Sequence, residues 1–373
     1  MNNIKYLYVL GSVSQVTLKF IEMINSRYNP EEHLIYIPLG KIVLTVEPEF
    51  ANFKNVIFAE NIGRLKKMYF EYKLYRNATY IILHGMFFGI RPLIPLIIDQ
   101  SLLKKVSWIE HGGDLYNWKN NEDNFRAYFD NYINKKIKEA SNVIGVCHPL
   151  DKNFLLSEFN IKAPVIYTQF RTIENPFKKF EETKFKFNKG SVFIQVGHNA
   201  FQFGNHISIL NHLVKFKDKN LKLILPMSYG LSGIHGGREG GIQYRNAVFK
   251  IAKLLFHSKA ILMNKKIPFE NYLQYLWNVD IVILNIERQA ALGNIHPLLY
   301  MNKKIFLPGN SPMYKFFIEN GVEIYDTNRI DDMTFEEFIK PNIGNNKEWV
   351  VKFLTKYSYE TWDNFFGELN KKK

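Results

Sequence analysis

The 373-residue sequence is 46% hydrophobic and 15% aromatic, enough apolar surface for two or three globular domains, which excludes a disordered chain. Lys and Arg outnumber Asp and Glu by 49 to 35, so the net charge is +14 and anionic partners are expected: phospholipid headgroups, diphosphates or nucleic acid. Nucleic acid is disfavoured because zinc-finger spacing, a basic zipper and RNA-binding aromatic motifs are absent from the sequence.

The compartment follows from cysteine use and apolar runs. Cys147 is the single cysteine, so an intramolecular disulfide framework is excluded and a reducing compartment fits. The N-terminal apolar run is too short for a signal peptide, and we expect no export signal. The longest apolar stretch, 80–98, is interrupted by His, Arg and two prolines, so we expect no transmembrane anchor and predict a cytoplasmic protein.

Strand and helix patterns alternate along the chain, which predicts parallel α/β sheets. In the first half, predicted helices cover 16–25, a segment from Ile62, and 124–140, and predicted strands cover 4–10, 33–37, 56–58, 80–83, 105–110, 142–146 and 165–167. In the second half the predicted strands cover 191–196, 221–225, 260–263, 281–284, 304–307 and 323–325.

A charged run at 177–190 separates the two series, and we place the interdomain linker there. The sequence thus predicts two doubly wound domains, 1–180 and 181–330, followed by a helical segment, 331–373, that packs back on the first domain. Ligands of such sheets bind beyond the carboxyl ends of the strands, so two of these domains would create a cleft lined by strand-to-helix turns.

The turn after the strand at 191–196 offers an anion-binding site. Gly197, Asn199 and His206 lie between this strand and the next predicted helix. A strand, a glycine turn and a helix N-terminus together direct backbone N–H groups and the positive end of the helix dipole at a ligand. A plain glycine turn with Asn205 capping the helix is the alternative that the same residues allow.

The next strand ends at Pro226 and leads through Tyr229 into a glycine-rich stretch, 229–242. Because glycine gives the backbone unusual freedom, we predict a mobile loop here, of the kind that closes over a diphosphate. A solvated surface loop is the alternative. Tyr272, on the predicted helix that begins at Pro268, is a further candidate for binding the donor.

A third turn follows the strand at 281–284 and opens another helix. Its polar and glycine residues are Glu287, Arg288, Gln289, Gly293 and Asn294. Two helix N-termini and an arginine would hold a diphosphate without a metal ion. An ordinary surface ion pair between Glu287 and Arg288 is the alternative.

Candidate acid–base residues cluster in the first half. His84 follows one predicted strand, and Glu110, His111 and Asp114 follow the next, each beside glycines. Carboxylates and imidazoles at strand ends are placed for proton transfer with an acceptor hydroxyl. The alternatives are a helix N-cap for Asp114 and a packed core histidine for His111. Cys147 and the histidine after it point apart on a strand, so they do not form a nucleophilic dyad.

Two segments suit a membrane surface. The helix predicted from Ile62 interleaves Tyr and Phe with Arg64, Lys66, Lys67, Lys73 and Arg76, as interfacial helices do. The segment Met86–Ile98 is largely apolar. We expect both to share one face of the first domain and to dock on an anionic leaflet, while packing in the core is the alternative for each.

Short matches to one family follow one another along the chain. In the first half they are Val9, Leu10, Gly11, Ser12, His84, Gly85, Phe87, Trp108, Gly112, Asp114, Leu115 and Tyr116. In the second half they are Gly197, Asn199, Asn205, His206, Pro226, Met227, Tyr229, Tyr272, Leu273, Arg288, Gln289 and Gly293. In this collinear order the chain resembles the TDP-4-acetamido-4,6-dideoxygalactose:lipid II transferase family, the glycosyltransferases of the enterobacterial common antigen type.

The resemblance implies a GT-B enzyme, with two Rossmann-like domains facing a central cleft, that holds the acceptor in the first domain and the donor in the second. It implies transfer of a 4-amino-4,6-dideoxyhexose-type sugar from a dTDP- or UDP-sugar to a polyprenyl-diphosphate-linked saccharide at the inner face of a bacterial cell membrane, with no cofactor. No D-x-D motif occurs, which favours the metal-independent class. The sequence departs from the family at His111, where an aromatic residue is commoner, and in the glycine-rich stretch.

Two other functions stay open from the sequence. One is a glycosyltransferase of the same architecture with another donor, such as a fucosyl or hexosaminyl nucleotide. The other is a non-catalytic sugar- or membrane-binding protein that has kept the fold, because a fold does not determine a function.

Overall fold

The computed structural model describes residues 4–13, 15–45, 48–116, 118, 125–168, 190–231, 237–265, 267–356 and 360–371. The chain divides into two compact units, one of Met1–Glu174 with Thr355–Lys373 and one of Asn175–Leu354. The sequence had placed these boundaries at 180/181 and 330/331. All of the proposed linker except Gly190 lies outside the described residues.

The first unit is built on a seven-stranded parallel sheet with strand order β3-β2-β1-β4-β5-β6-β7. Its strands are β1 Ile4–Leu10, β2 His33–Ile37, β3 Val56–Phe58, β4 Ala78–His84, β5 Val106–Ile109, β6 Ile144–Val146 and β7 Val165–Tyr167. The central strands are continuous apolar runs because helices cover both faces of the sheet.

The helices of the first unit fall on two faces of its sheet. They are α1 Gln15–Arg27, α2 Arg64–Asn77, α3 Ile94–Ile98, α4 Gln100–Leu103, α5 Gly113–Tyr116, α6 Phe125–Ala140, α7 Pro149–Glu158 and, from the C-terminal segment, the helix Glu360–Asn370. One core joins the sheet to α2, α3, α4, α6 and α7. The other joins it to α1 and to the C-terminal helix, which buries Trp362, Phe365 and Leu369.

The second unit contains a six-stranded parallel sheet with strand order β10-β9-β8-β11-β12-β13. Its strands are β8 Val192–Val196, β9 Leu221–Pro226, β10 Ala260–Met263, β11 Ile281–Ile283, β12 Lys304–Leu307 and β13 Tyr325–Asp326. Its helices are α8 His206–Leu213, α9 Gly237–Phe256, α10 Phe269–Asn278, α11 Leu292–Tyr300, α12 Pro312–Glu319, α13 Phe335–Ile339 and α14 Asn346–Lys356; we number the C-terminal helix α15.

The glycine-rich stretch differs from its prediction as a mobile loop. Helix α9 begins at Gly237 and continues to Phe256, while 232–236 lie outside the described residues. A Cβ at Gly241 would collide with the backbone of Leu231. Glycine at 241 therefore lets the first turns of α9 pack closely on Leu231. Because α9 covers 237–242, the prediction of a mobile loop was wrong for those residues.

Both sheets reverse their strand order at one point, next to the first strand of each unit. Beside that point Gly85 and Gly197 have φ of +72° and +69°, which only glycine adopts readily. Gly11 and Gly85 approach so closely that a Cβ on Gly11 would overlap the Gly85 carbonyl. Ligands of doubly wound sheets bind at this switch point. Of the helices that the structure describes, none is long and apolar enough to cross a bilayer.

Candidate functional site

Two histidines meet at the carboxyl edge of the first sheet. His84 ends β4 and is fully buried, whereas His111, just after β5, is partly exposed. Nδ1 of His84 and Nε2 of His111 are 3.0 Å apart and share one hydrogen bond. A ligand at this edge of the sheet would therefore reach His111 before His84.

The surroundings keep both imidazoles neutral near pH 7. Burial lowers the pKa of His84 well below its ordinary value, and the neighbouring His111 lowers it further. Burial also lowers the pKa of His111 to about 4, although the charge of Asp114 opposes that shift. A neutral imidazole keeps a nitrogen lone pair available to accept a proton.

Asp114 is a hub of buried hydrogen bonds. Its Oδ2 accepts from the Met86 backbone N–H at 2.8 Å and from Trp108 Nε1 at 2.8 Å. Its Oδ1 accepts from the His111 backbone N–H at 2.8 Å. The carboxylate lies in the first turn of α5 and fixes the loops that carry His84 and His111, so it is placed to position His111. The helix N-cap weighed from the sequence does not describe this arrangement, while the role of Asp114 as a base stays a prediction.

A buried lysine donates a hydrogen bond to the backbone of Asp114. Lys138, on α6, is 1% exposed and donates from Nζ to the Asp114 carbonyl at 2.7 Å. Its ammonium lies 4.8 Å from the ring centroid of Trp108, 5.7 Å from that of Trp118 and 5.3 Å from that of Phe159. Burial lowers the pKa of Lys138 to about 8. Cation–π contacts and one carbonyl thus replace its hydration shell.

Glu110 is fully buried beside the histidine loop. Its carboxyl group accepts from the backbone N–H of Cys147 at 2.7 Å and from that of Gly112. Burial and the carboxylates of Asp151 and Asp114 raise the pKa of Glu110 well above its ordinary value. Glu110 therefore ties the ends of β5 and β6 together.

In the second unit, the turn after β8 is closed by a histidine. His206 begins α8, is fully buried, and packs so closely on Gly197 that a Cβ there would overlap its ring. Its Nδ1 is 3.0 Å from the Tyr244 hydroxyl. Asn205 occupies the N-cap position with φ of 44°, but its side chain makes no capping hydrogen bond. The capping alternative is thus wrong, and the first backbone N–H of α8, that of His206, donates instead to the Tyr244 hydroxyl at 3.3 Å.

Tyr229 joins two of the turns that the sequence singled out. Burial raises the pKa of its hydroxyl, and the side chains of Asn199, after β8, and Asn294, in the first turn of α11, oppose that shift, so both lie near it. Asn199 Oδ1 also accepts from the Phe201 backbone N–H at 2.9 Å. The N-cap residue of α11, Ala291, has φ of 60° and makes no side-chain cap. The N-terminus of α11, which has no side-chain cap, thus lies near this tyrosine.

Arg288 follows β11 and lies over an aromatic ring. Its guanidinium carbon is 4.4 Å from the ring centroid of Phe203. Its charge helps to lower the pKa of His198, so these two side chains face the same region. Glu287 is exposed and Gln289 is partly buried in the same turn.

The remaining candidates of the second unit lie nearby. Pro226 ends β9, and Gly293 is an exposed residue in the first turn of α11. Tyr272, on α10, has its ring centroid 5.8 Å from that of Tyr275. The Tyr275 hydroxyl donates to Gln195 Oε1 at 2.7 Å, and Gln195 Nε2 donates to the Gly197 carbonyl at 2.7 Å. The α10 tyrosines therefore brace the glycine turn.

Residues 47–369 match the family model described as 4-alpha-L-fucosyltransferase glycosyl transferase group 56. The chain belongs to this family. No curated protein matches the sequence. The group 56 match runs through both units, so it includes both clusters described above.

Solved structures show the fold of this group 56 glycosyltransferase. Anabaena Alr3699/HepE in complex with UDP and glucose superposes with a TM-score of 0.64 at 10% identity, over 99% of this chain and 100% of that one. The UDP-forming α,α-trehalose-phosphate synthase of Burkholderia vietnamiensis gives 0.60 at 8% identity, over 99% of each chain. A Rickettsia africae glycosyltransferase gives 0.60 at 12% identity, over 100% of this chain and 97% of that one. The fold is GT-B, as predicted.

His198 of the group 56 enzyme was not among the residues predicted from the sequence, although it stands between two that were, Gly197 and Asn199. His198 is 5% exposed, and its Nε2 accepts from Asn199 Nδ2 at 2.7 Å. Its Nδ1 is buried with no hydrogen-bond partner among the described residues. Burial, His206 and Arg288 lower its pKa to about 3. Its position directly after a turn glycine was the signal in the sequence that marked it.

Proposed function

We propose that this glycosyltransferase transfers a 4-amino-4,6-dideoxyhexose-type sugar from a dTDP- or UDP-sugar to a polyprenyl-diphosphate-linked saccharide. The observation that carries the donor side is the cluster of Asn199, Tyr229, Asn294 and Arg288 at the carboxyl edge of the second sheet. The family description names a transferase of fucose, a 6-deoxyhexose, and UDP is bound in the Anabaena structure, which supports a deoxyhexose linked to a nucleoside diphosphate.

The proposed chemistry of the donor site is electrostatic. Glycosyl transfer breaks the bond between the sugar and the diphosphate, and negative charge grows on the leaving oxygen. The N-terminal amides of α8 and α11 and the Arg288 guanidinium would stabilise that charge more in the transition state than in the ground state. The described residues include no cluster of three His, Cys, Asp or Glu side chains that would hold a metal ion.

In the acceptor site we propose that His111 accepts the proton of the attacking hydroxyl. It is the more exposed member of the histidine pair, and the hydrogen bond to His84 orients its ring. Asp114, which accepts three hydrogen bonds, holds the His111 backbone and is a positioning residue. The hydroxyl oxygen would then bond to the anomeric carbon as the diphosphate leaves.

This assignment predicts an unusual pH profile. Because the pKa of His111 is about 4, its acceptor form persists well below the ordinary imidazole pKa of about 6.5. We expect kcat/KM to stay level from pH 7 to about pH 5 and to fall only near pH 4. Steady-state rates with a short water-soluble acceptor test this.

Stability must be followed alongside the rates. A depressed histidine pKa contributes stability above the unfolded-state value, and this contribution is lost as pH falls from about 6.5 to about 4. Circular dichroism at each pH separates this unfolding from protonation of the base. An acid limb of kcat/KM near pH 6.5 with an intact fold would refute the role given to His111.

A donor screen tests the proposed function as a whole. Each nucleotide that binds only the native protein raises Tm by mass action. We expect dTDP or UDP to raise Tm and GDP to do so less. Preference for GDP would favour the alternative donor, a fucosyl nucleotide, and no shift with any of the three would remove the donor site from the proposal. Mass spectrometry of the acceptor after incubation with the preferred nucleotide sugar then identifies the product.

We also propose that the enzyme works on the inner face of the cell membrane, where a lipid-linked acceptor resides. Helix α2 supports this, because it carries five Lys or Arg residues against one acid, Glu71, which is buried and bonded to Tyr36 and Arg91. The segment Met86–Ile98 exposes less apolar surface for membrane docking than the sequence predicted. Phe87 and Ile98 are exposed, but Met86, Pro92, Leu93, Pro95 and Leu96 are buried in the core.

A further inference from the structure

Helix α6 presents an aromatic stripe to solvent. Phe125 is 81% exposed, Tyr128 58%, Phe129 41% and Tyr132 51%. These residues stand at positions i, i+3, i+4 and i+7, so they share one face of the helix. Aromatic side chains at this spacing are ordinarily the buried side of an amphipathic helix. Here they form the outer side.

The opposite face of α6 packs in the core of the first unit. Asn131, Ile133, Ile137 and Lys138 are buried, and both isoleucines belong to the core beneath the sheet. The aromatic stripe is therefore a second, unpartnered apolar face. It is not a core face left partly open, because α6 packs on β5 through its other side.

Basic side chains continue the stripe along the helix. Lys135 and Lys136 lie three and four residues after Tyr132, on the same face, and the Lys136 ammonium is 5.9 Å from the Tyr132 ring centroid. Arg126 is exposed in the first turn of α6. Glu139 also lies on this face and pairs with Lys135 at 3.9 Å, so Arg126 and Lys136 carry its net positive charge. The outer face of α6 thus passes from aromatic to net basic, which is the composition of an interfacial helix.

Neighbouring helices extend the same kind of surface. Helix α3 contacts both α2 and α6, so the three lie on one face of the first unit. Exposed apolar residues on α2 and α3 are Leu65 at 77%, Tyr69 at 58% and Ile98 at 73%. The basic residues of α2 lie among them.

We infer that the α6 stripe inserts into the interfacial region of a bilayer containing anionic lipids, with α2 supplying electrostatic attraction. The inference rests on the membrane location in the proposed function and names the element that anchors the enzyme there. Lipid headgroups complement the lysines and arginines, and the acyl boundary accommodates Phe and Tyr rings. Apolar insertion is insensitive to salt, whereas attraction between exposed charges is screened by it.

Charge favours a bilayer over a second copy of the chain. A two-fold dimer through α6 would bring each stripe against its own equivalent and would place Arg126 and Lys136 of both copies, together with the Lys135–Glu139 pairs, in one interface of net positive charge. Like charges in such an interface oppose association. A planar anionic surface satisfies the aromatic and the basic residues together.

Helix α6 also connects the membrane face to the acceptor site. Its inner side carries Lys138, which holds the Asp114 carbonyl, and Asp114 holds the His111 loop. The stripe is therefore connected to the histidine pair through α6 and the hydrogen bonds of Lys138 and Asp114.

The test compares three variants of the full chain with the wild type. F125S/F129S removes the exposed rings of the stripe. I343S/L254S is the matched control, because these residues of the second unit are 87% and 73% exposed. K66E/K73E reverses charge on α2; Lys67 is left in place because it donates to the Pro38 carbonyl at 2.9 Å. Co-sedimentation with phosphatidylglycerol–phosphatidylcholine vesicles is measured at low and high salt, with activity on a water-soluble acceptor and sedimentation velocity.

We expect F125S/F129S to lose roughly ten-fold or more in vesicle affinity at high salt and to keep its activity on the soluble acceptor. K66E/K73E should lose affinity at low salt only, and I343S/L254S should match the wild type. Vesicle binding by F125S/F129S equal to the wild type overturns the inference, as does a wild-type dimer that this variant converts to monomer. Stripe-dependent vesicle binding without transfer to any acceptor would refute the proposed function and leave the docking surface standing.

Discussion

Replacing Arg288 by alanine should lower kcat by about two orders of magnitude while leaving the protein folded. Mutation of a single preorganised donor to a developing anion typically costs about 10²- to 10³-fold in kcat. The guanidinium lies over Phe203, and losing that contact costs stability of only about 0.5–1 kcal/mol. Arg288→Ala should therefore lower kcat strongly and Tm only slightly. Initial rates at saturating donor, with a thermal melt of the same preparation, measure both.

Two further substitutions sharpen this test. Arg329 is 69% exposed in the same unit and pairs with Asp332 at the surface, so Arg329→Ala is the matched control and should retain wild-type kcat. Arg288→Lys keeps the charge but loses the planar fork, and we expect an intermediate rate. Equal rates for Arg288→Ala and the wild type would exclude Arg288 from charge stabilisation. A fall in Tm that accounts for the lost activity would make Arg288 a structural residue.

The fold could be predicted from the sequence because its strands are short apolar runs between recognisable turns. The predicted limits of β1, β2, β3, β7, β10 and β12 coincide with the structure. The last strand was predicted at 323–325 but is Tyr325–Asp326. The backbone N–H of its first predicted residue, Glu323, donates to Asn346 Oδ1 at 2.8 Å, and the Glu323 carbonyl accepts from Asn346 Nδ2 at 2.9 Å. Those bonds replace a sheet ladder, and the local pattern holds no sign of them.

The candidate site was predictable only in part, for a similar reason. Parallel strands bring their carboxyl ends to one edge, so residues just after strands could be named from the pattern alone. What each side chain does depends on distant partners. Lys138 lies 24 residues from Asp114 in sequence, and Tyr229 lies near Asn199 and Asn294, which belong to different turns. Periodicity carries no information about such pairs.

Replacing Asp114 by asparagine should both destabilise the first unit and nearly abolish transfer. The carboxylate accepts hydrogen bonds from Met86, Trp108 and His111. In asparagine an –NH₂ group replaces one of the two oxygens, so the N–H groups that bonded to that oxygen would face another donor. Leaving buried donors unsatisfied costs about 1–3 kcal/mol each, so a total of about 2–4 kcal/mol is expected. Tm should fall by roughly 5–10 °C. Differential scanning calorimetry and transfer rates well below Tm check both effects.

Trp108→Phe tests the hydrogen bond from the indole N–H to Asp114 Oδ2. It also deletes the pyrrole part of a fully buried indole and so leaves a cavity in the core. We expect a loss of Tm from that cavity and a lower kcat with little change in the KM for the donor, because the donor cluster lies in the other unit. Asp332→Asn is the matched control, because Asp332 is 66% exposed in a surface ion pair, and it should leave kcat and Tm unchanged. If Asp114→Asn keeps wild-type kcat at a temperature where it is folded, Asp114 does not position His111, and the proton acceptor must be sought elsewhere along this edge of the sheet.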